Sequence, residues 1–503
     1  VVDRQLYIGI GTAVLLGFAV AFLSLEMVVM VAGGVVITAV LLLILRQPLW
    51  GLALALLAGP FGALENVILG GNVPLDSGQI ILFVTIGAWV ARGLARRRVV
   101  IPRPLLLWPL LALIGVMSLT LIEATSVVLG LIELLKWIEI AVVMVMVIDL
   151  VQDLWDDGHD PYLTLYLLIG IIVLAGLSQA LIGIWQFAPR GHGPEHFLVL
   201  GRFYRAYGTF EQPNPFGGYM GLNGLLALGT SVGLVVWWGE RWWQNKKGVW
   251  AKISLWDVAG VLFFGVGAAA CILALIMSWS RGAWLGFVAA SGILAFFLPR
   301  KRWQGVLLVV IGLIAVAAAW QIGLIPESIT SRVGSVAEEF RLGDVRGVDI
   351  NDTNYAVIER LAFWQAAVGM VEDNIWLGVG FGNYAAAYPD YALINWTTPL
   401  GHAHNYYLNL LAETGILGSL AYLMVWGVIV WQNIQLLGTL SWRGRGVALG
   451  LLAAWVALTV HHLVDKLYVN NLYVHLGAML AVQQLLPRMH DAQRHGREAD
   501  AER

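Results

Sequence analysis

The chain has one cysteine among 503 residues, and only 12% of its residues are charged. A single thiol, Cys271 inside an apolar run, excludes both a disulfide framework and a thiolate zinc cluster. Soluble domains carry about 25% charged residues, so half that proportion argues against a water-facing surface. A net charge of −2 leaves no basic excess, which excludes a nucleic-acid partner. Neither an internal repeat nor a low-complexity linker interrupts the chain.

What the sequence has in plenty is hydrocarbon. Hydrophobic residues make up 59% of it, and apolar runs of about 20 residues, the length that crosses a bilayer, recur from end to end. About fourteen spans follow: 6–24, 27–45, 49–69, 79–95, 104–122, 134–150, 162–187, 214–238, 257–278, 283–299, 304–325, 406–431, 446–464 and 467–486. The first run, from about Leu6, is followed by many others and lacks a persuasive cleavage site, so it reads as a span. Glu133, Lys136 and Glu139 crowd the start of the sixth; if that run is interfacial, the count changes. The expected fold is an all-α polytopic membrane protein of about 12–14 transmembrane helices embedded in a lipid bilayer.

Placing the N-terminus inside puts 20 of the 30 basic residues on the cytoplasmic face, 9 outside and Lys136 within a span. The positive-inside rule favours that orientation. Residues 1–325 then hold the N-terminal spans and an outer loop, 188–213; residues 326–405 form a large, partly helical periplasmic loop. Residues 406–487 are the C-terminal spans, and 488–503 read as a disordered cytoplasmic tail. A loop of the length of 326–405 inside a compact protein is usually functional or disordered, and its tryptophans and tyrosines favour folding against the spans. It carries ten acids and four arginines, so it is not a basic patch.

The polar residues that stand out lie at the outer ends of spans. In "GHAHNYYLNLLAETGILG", 401–418, Asn405, Asn409 and Glu413 recur every four residues and share one helix face. Such a stripe facing lipid would cost several kcal/mol, so it faces the bundle interior or a wet cavity. Asn405 suits an N-cap. His404 then stands at the mouth of that cavity, able to exchange a proton near neutral pH, or else it is a loop histidine bonded to a carbonyl. Arg281, in "MSWSRGAWLG", sits at a span boundary where a guanidinium needs a partner. Arg360 opens an aromatic helix and, taken alone, reads as a surface partner of Glu359 or Asp373. In "RAYGTFEQPNPFGGYMG", 205–221, Pro213, Asn214 and Pro215 enforce a sharp approach to a helix, and Gly217 and Gly218 permit close helix packing. Arg202 and Arg205 are available there for an anion. His192 and His196 have a spacing that could suit a metal but lack a third ligand. His402 reads as a loop residue; His461, His462 and Asp465 read as acceptor contacts or as satisfied hairpin residues. Asp153, Asp156, Asp157 and Asp160 form a solvated cytoplasmic loop.

Four of these motifs together, "RAYGTFEQPNPFGGY", "SWSRGAW", "ERLAFWQAAVGMVEDNIWLGVGFGNY" and "HNYYLNLLAETGILG", resemble in content and order the O-antigen ligase and polymerase family over about residues 200–470. The resemblance implies a GT-C-like fold and a metal-independent, inverting glycosyl transfer, with no cofactor, on the outer face of the bacterial cytoplasmic membrane. It implies a glycan on undecaprenyl diphosphate as donor, and a glycan or lipid A-core sugar, or a protein hydroxyl, as acceptor. Carried over, His404 is similar to the family's essential histidine, and Arg281 and Arg360 to its two essential arginines. Arg202, Arg205, Asn214, Asn405 and Glu413 are the expected substrate-binding residues around them. A small-anion transporter is the rival from another class; it would place its ionisable groups at mid-membrane, whereas here they lie at outer span ends.

Overall fold

The computed structural model describes residues 25–71, 75–97, 101–244, 254–334, 344–351 and 354–501. The expected span 6–24 lies outside these. Two compact units are present: Val1–Leu54 with Ile81–Val99, and Ala55–Ile80 with Val100–Arg503.

The first helices are α1 (Leu25–Arg46), α2 (Pro48–Ala58), α3 (Gly62–Ile68) and α4 (Ser77–Ala95). In the first unit Arg92 donates to Gln47 Oε1, which ties the end of α4 to the α1–α2 turn. The second unit continues with α5 (Leu107–Thr120), α6 (Val127–Asp156), α7 (Pro161–Phe187), α8 (Pro213–Gln244), α9 (Leu255–Met277), α10 (Arg281–Phe297) and α11 (Arg302–Gln321). Next come α12 (Glu327–Gly334), α13 (Tyr355–Asp373) and α14 (Tyr384–Tyr391) in the large loop, then α15 (Tyr406–Thr439), α16 (Trp442–His461) and α17 (Leu472–Ala501). The only strands among the described residues are Leu198–Val199 and Phe203–Tyr204, an antiparallel hairpin in the 188–213 loop.

Among the described residues eight helices are long and apolar enough to cross a membrane, and three shorter apolar helices accompany them. The chain is a multi-pass, all-α membrane protein. Three expectations need correction. The weakest expected span is a 30-residue central helix, α6, whose run from Val143 to Ile148 is buried. Two of the three charges at its start are paired: Glu133 binds Lys136 at 2.5 Å and Lys466 at 3.1 Å. The last span begins at Leu472, because residues 462–471 form a buried irregular turn in which Asn470 and Asn471 take φ 50° and 58°. The tail expected to be disordered continues α17 to Ala501; its Ala, Gln, Arg and Glu residues are good helix formers.

Two features fix the frame around the loop. Gly229 and Gly233 of α8 lie backbone to backbone against Gly446 and Gly450 of α16: a Cβ on Gly229 would come 2.4 Å from Gly450 Cα. This is the small-residue contact that lets membrane helices approach closely. The helix α15 breaks at Gly415, φ 60° and ψ −163°, a region essentially reserved for glycine. A broken helix exposes backbone groups that lipid cannot satisfy. Here the Gly-rich segment satisfies them: Val379 N–H donates to Ala412 O at 2.9 Å, and Ile416 N–H to Ile375 O at 2.9 Å. The large loop is thereby locked onto α15, with Phe363, Met370, Tyr384 and Tyr388 buried beneath it.

Candidate active site

The polar stripe on α15 faces the interior, as its spacing requires. Asn405 is the N-cap, its Oδ1 accepting from Tyr407 N–H at 3.0 Å and Leu408 N–H at 3.1 Å. Asn409 Oδ1 accepts from Ala403 N–H at 3.1 Å, and Glu413 Oε1 from Tyr384 N–H at 3.1 Å. The Asn409 and Glu413 oxygens therefore hold the loop, while Asn405 Oδ1 caps α15. Asn405 and Glu413, the expected substrate-binding residues, use these oxygens in hydrogen bonds within the protein.

Just before that cap the chain turns sharply. His404 takes φ 51°, a left-handed conformation uncommon outside glycine, and its N–H donates to His402 Nδ1 at 3.0 Å. The two imidazoles stand 4.5 Å apart, centroid to centroid. Asp465, from the buried turn between α16 and α17, faces both: its Oδ1 is 3.8 Å from His402 Nε2 and 3.9 Å from His404 Nδ1. Asp465 Oδ1 also accepts from Lys466 N–H at 2.8 Å. Both nitrogens of His404 are buried without a hydrogen-bond partner.

The arginines arrive from two other elements. Arg360 lies three residues before Phe363 on α13, so the two share a face, and the Phe363 ring is 5.9 Å from that of His404. The Arg360 charge acts on both His404 and His461. Arg281 opens α10 directly after its cap, Ser280, and a turn in which Trp279 takes φ 54°. The next residue, Gly282, leans on His461: a Cβ there would fall 2.4 Å from His461 Cδ2. His461, buried and without a hydrogen-bond partner on either nitrogen, is thus the common neighbour of the Arg281 turn and of Arg360. Gly218 also packs on it, while Gly217 packs on the Ser278–Ala283 turn, the close packing expected of that glycine pair.

Electrostatics set the protonation states. Burial pushes His402 down to about 3 against the pull of Asp465. Burial also lowers His404; the Arg360 charge adds to that effect and Asp465 opposes it. Burial works against the Asp465 carboxylate, but the two imidazoles and the Lys466 N–H hold its pKa below the ordinary range. Near neutral pH the cluster is therefore two neutral imidazoles and one carboxylate. Among the described residues, His402, His404 and Asp465 are the one group whose donor atoms lie close enough together, within 4.8 Å, to suggest a metal. The hydrogen bond to His402 Nδ1 argues against one. It leaves the proton of the neutral ring on Nε2, the nitrogen facing Asp465, and a protonated nitrogen is not a ligand. The geometry suits a carboxylate that orients imidazoles.

Around this centre the remaining expected residues take different parts. Arg205 donates from Nε to Ser278 O at 3.0 Å and from Nη2 to Asn214 Oδ1 at 3.1 Å. It braces the turn that carries Arg281, and Asn214 braces Arg205. Arg202 is exposed and lies over the Phe203 ring. His192 and His196 join no metal-type group among the described residues, and His196 packs edge-on against Phe197. Asp160 caps α7 through Leu163 N–H. The His462 ring packs against Tyr406 at 4.8 Å, and its carbonyl accepts from Tyr406 N–H at 2.8 Å. The role of Asp465 escapes the sequence because 60 residues separate it from His404. The available signal is a charged pair, Asp465 and Lys466, in an otherwise apolar stretch.

A family model described as O-antigen ligase matches residues 266–423. Over that segment, about a third of its length, the chain is similar to the O-antigen ligase family. The matched segment contains Arg281, Arg360 and His404, and the Asp465 turn lies beyond it. No curated protein matches the chain.

Proposed function

We propose that the protein is an inverting glycosyltransferase. It moves a glycan from undecaprenyl diphosphate to an acceptor sugar hydroxyl at the outer face of a bacterial cytoplasmic membrane. The observation that carries this reading is His404: a buried, neutral imidazole with a carboxylate on its Nδ1 side and a guanidinium within electrostatic reach. With Nδ1 turned to Asp465, Nε2 is the nitrogen left to take a proton from the acceptor hydroxyl. The freed oxygen attacks the anomeric carbon, and the bond from that carbon to the diphosphate oxygen breaks. Asp465 stabilises the imidazolium formed. The leaving diphosphate gains charge as it departs, and Arg281 and Arg360 supply bidentate donors for it; no step requires a metal. The excess of Lys and Arg on the opposite face of the bundle supports the outward orientation of this pocket. A polymerase or a protein O-glycosylating enzyme would use the same donor chemistry with a different acceptor.

Reconstitution with a lipid-diphosphate glycan tests the reading. His404→Ala, Arg281→Ala and Arg360→Ala should each reduce turnover by about a hundredfold or more. Parental rates in all three would overturn it.

A further inference from the structure

At the other end of the bundle is a groove that the transfer chemistry does not use. The helices α7, α9 and α16 all begin there. Arg443 at this end is separated from His461 by 18 residues of α16, about 27 Å of helix rise. The groove lies between α7 and α9, is floored by Leu234 of α8, and has a volume of about 430 Å³. On α7 it runs from Leu163 to Leu174, about 17 Å of rise, which is close to half of a hydrocarbon core of about 30 Å. Leu163, Leu167 and Leu174 are exposed, so it opens sideways.

Glycines keep it empty. A Cβ on Gly170 would sit 3.8 Å from Phe263, and one on Gly260 3.8 Å from Leu234, both ordinary contacts. Side chains would therefore fit at both positions, and helix contact does not demand glycine there. One turn deeper the helices do close, since a Cβ on Gly267 would meet Val173 at 2.7 Å.

The groove carries one cation and one carboxylate. The Arg443 guanidinium is held among Tyr162, Trp237 and Tyr166, at 4.0, 4.8 and 5.6 Å from their ring centroids, and its Nε is buried without a hydrogen-bond partner. Asp257 belongs to the capping box of α9, its carboxylate accepting from Ser254 N–H at 3.3 Å. We propose that this groove binds an ethanolamine glycerophospholipid: one acyl chain lies between α7 and α9, the phosphate pairs with Arg443, and the ammonium faces Asp257. A purely anionic lipid would meet Asp257 with like charge, and a choline headgroup has no N–H to donate to it.

Native mass spectrometry of the full chain in detergent, with dioleoyl phosphatidylethanolamine, phosphatidylglycerol, phosphatidylcholine and a polyprenyl phosphate supplied equally, tests this. The ethanolamine lipid should be retained about tenfold over the glycerol lipid, a 1.4 kcal/mol preference. Gly170→Leu, which fills the groove without a backbone clash, should lose that retention. Asp257→Asn should erase the ethanolamine preference, and Arg443→Gln should weaken binding of every phospholipid. Should Arg443→Gln fail to fold, Gly170→Leu still decides. Equal retention of phosphatidylglycerol, undiminished binding by Gly170→Leu, or displacement of the phospholipid by the polyprenyl phosphate would each overturn the proposal.

Discussion

His404 sits in a left-handed backbone conformation, and non-glycine residues held there cost of order 1–3 kcal/mol unless their surroundings enforce it. Here the enforcement is visible: its own N–H is bonded to His402, and Asn405 immediately begins a helix. The ring is thereby aimed before any substrate arrives. Asp465→Asn keeps the shape of the side chain and removes the charge that stabilises an imidazolium. Turnover should fall about a thousandfold while donor binding is retained, a split that single-turnover rates and equilibrium binding will resolve; an unchanged rate would remove Asp465 from the mechanism. Because burial holds His404 below the ordinary histidine value, kcat/KM should stay level as pH is lowered through about 6.5. A break at that pH would show that the imidazole titrates as though in water. His404 and Asn405 are legible in the sequence, as a polar pair opening an apolar helix. The partnership with Asp465 is not, because nothing in the sequence says that the hairpin between the last two expected spans folds against the loop that carries His404.

At the scale of elements, the break in α15 attaches the large loop to the spans. Gly415→Ala would need a conformation almost confined to glycine and would put a Cβ 2.3 Å from the Trp376 carbonyl carbon. The strain alone is about 1–3 kcal/mol. The expected result is a lower unfolding temperature in detergent, together with protease sensitivity between α13 and α15; a variant as stable and resistant as the parent would contradict it. Most helices are readable from apolar runs, and the four-residue spacing of Asn405, Asn409 and Glu413 correctly marks an inward face. The break is not readable, since 406–431 reads as one continuous span and the partners of the break, Ile375 to Val379, come from a different element. The sixth span shows the converse: Glu133 and Lys136 make it look marginal beside lipid, yet Lys466, distant in sequence, completes a buried charge network with them.

For the molecule as a whole, acid should be destabilising through this same centre. His402 is pushed down to about 3 by burial, whereas the unfolded chain takes up that proton near 6.5. The unfolded state therefore binds more protons between those values, and stability present above about pH 6.5 is lost progressively as pH falls toward 3. Lowering pH from 7 to 5 should cost about 2 kcal/mol from this residue. Thermal unfolding in detergent across that range will measure it, and His402→Phe should make the dependence shallower without removing it, since burial lowers His404 as well; a profile that keeps its full slope in that variant would locate the acid sensitivity elsewhere. The backbone contact of Gly229 and Gly233 with Gly446 and Gly450 acts over a longer distance. Two helices meshed so tightly cannot slide past each other without prising their main chains apart. They form a stiff mast running from the Arg443 end to His461. In the proposed reaction, donor loading and carrier release then fall to the periphery, so spin labels placed on α8 and α16 should keep one narrow separation throughout turnover.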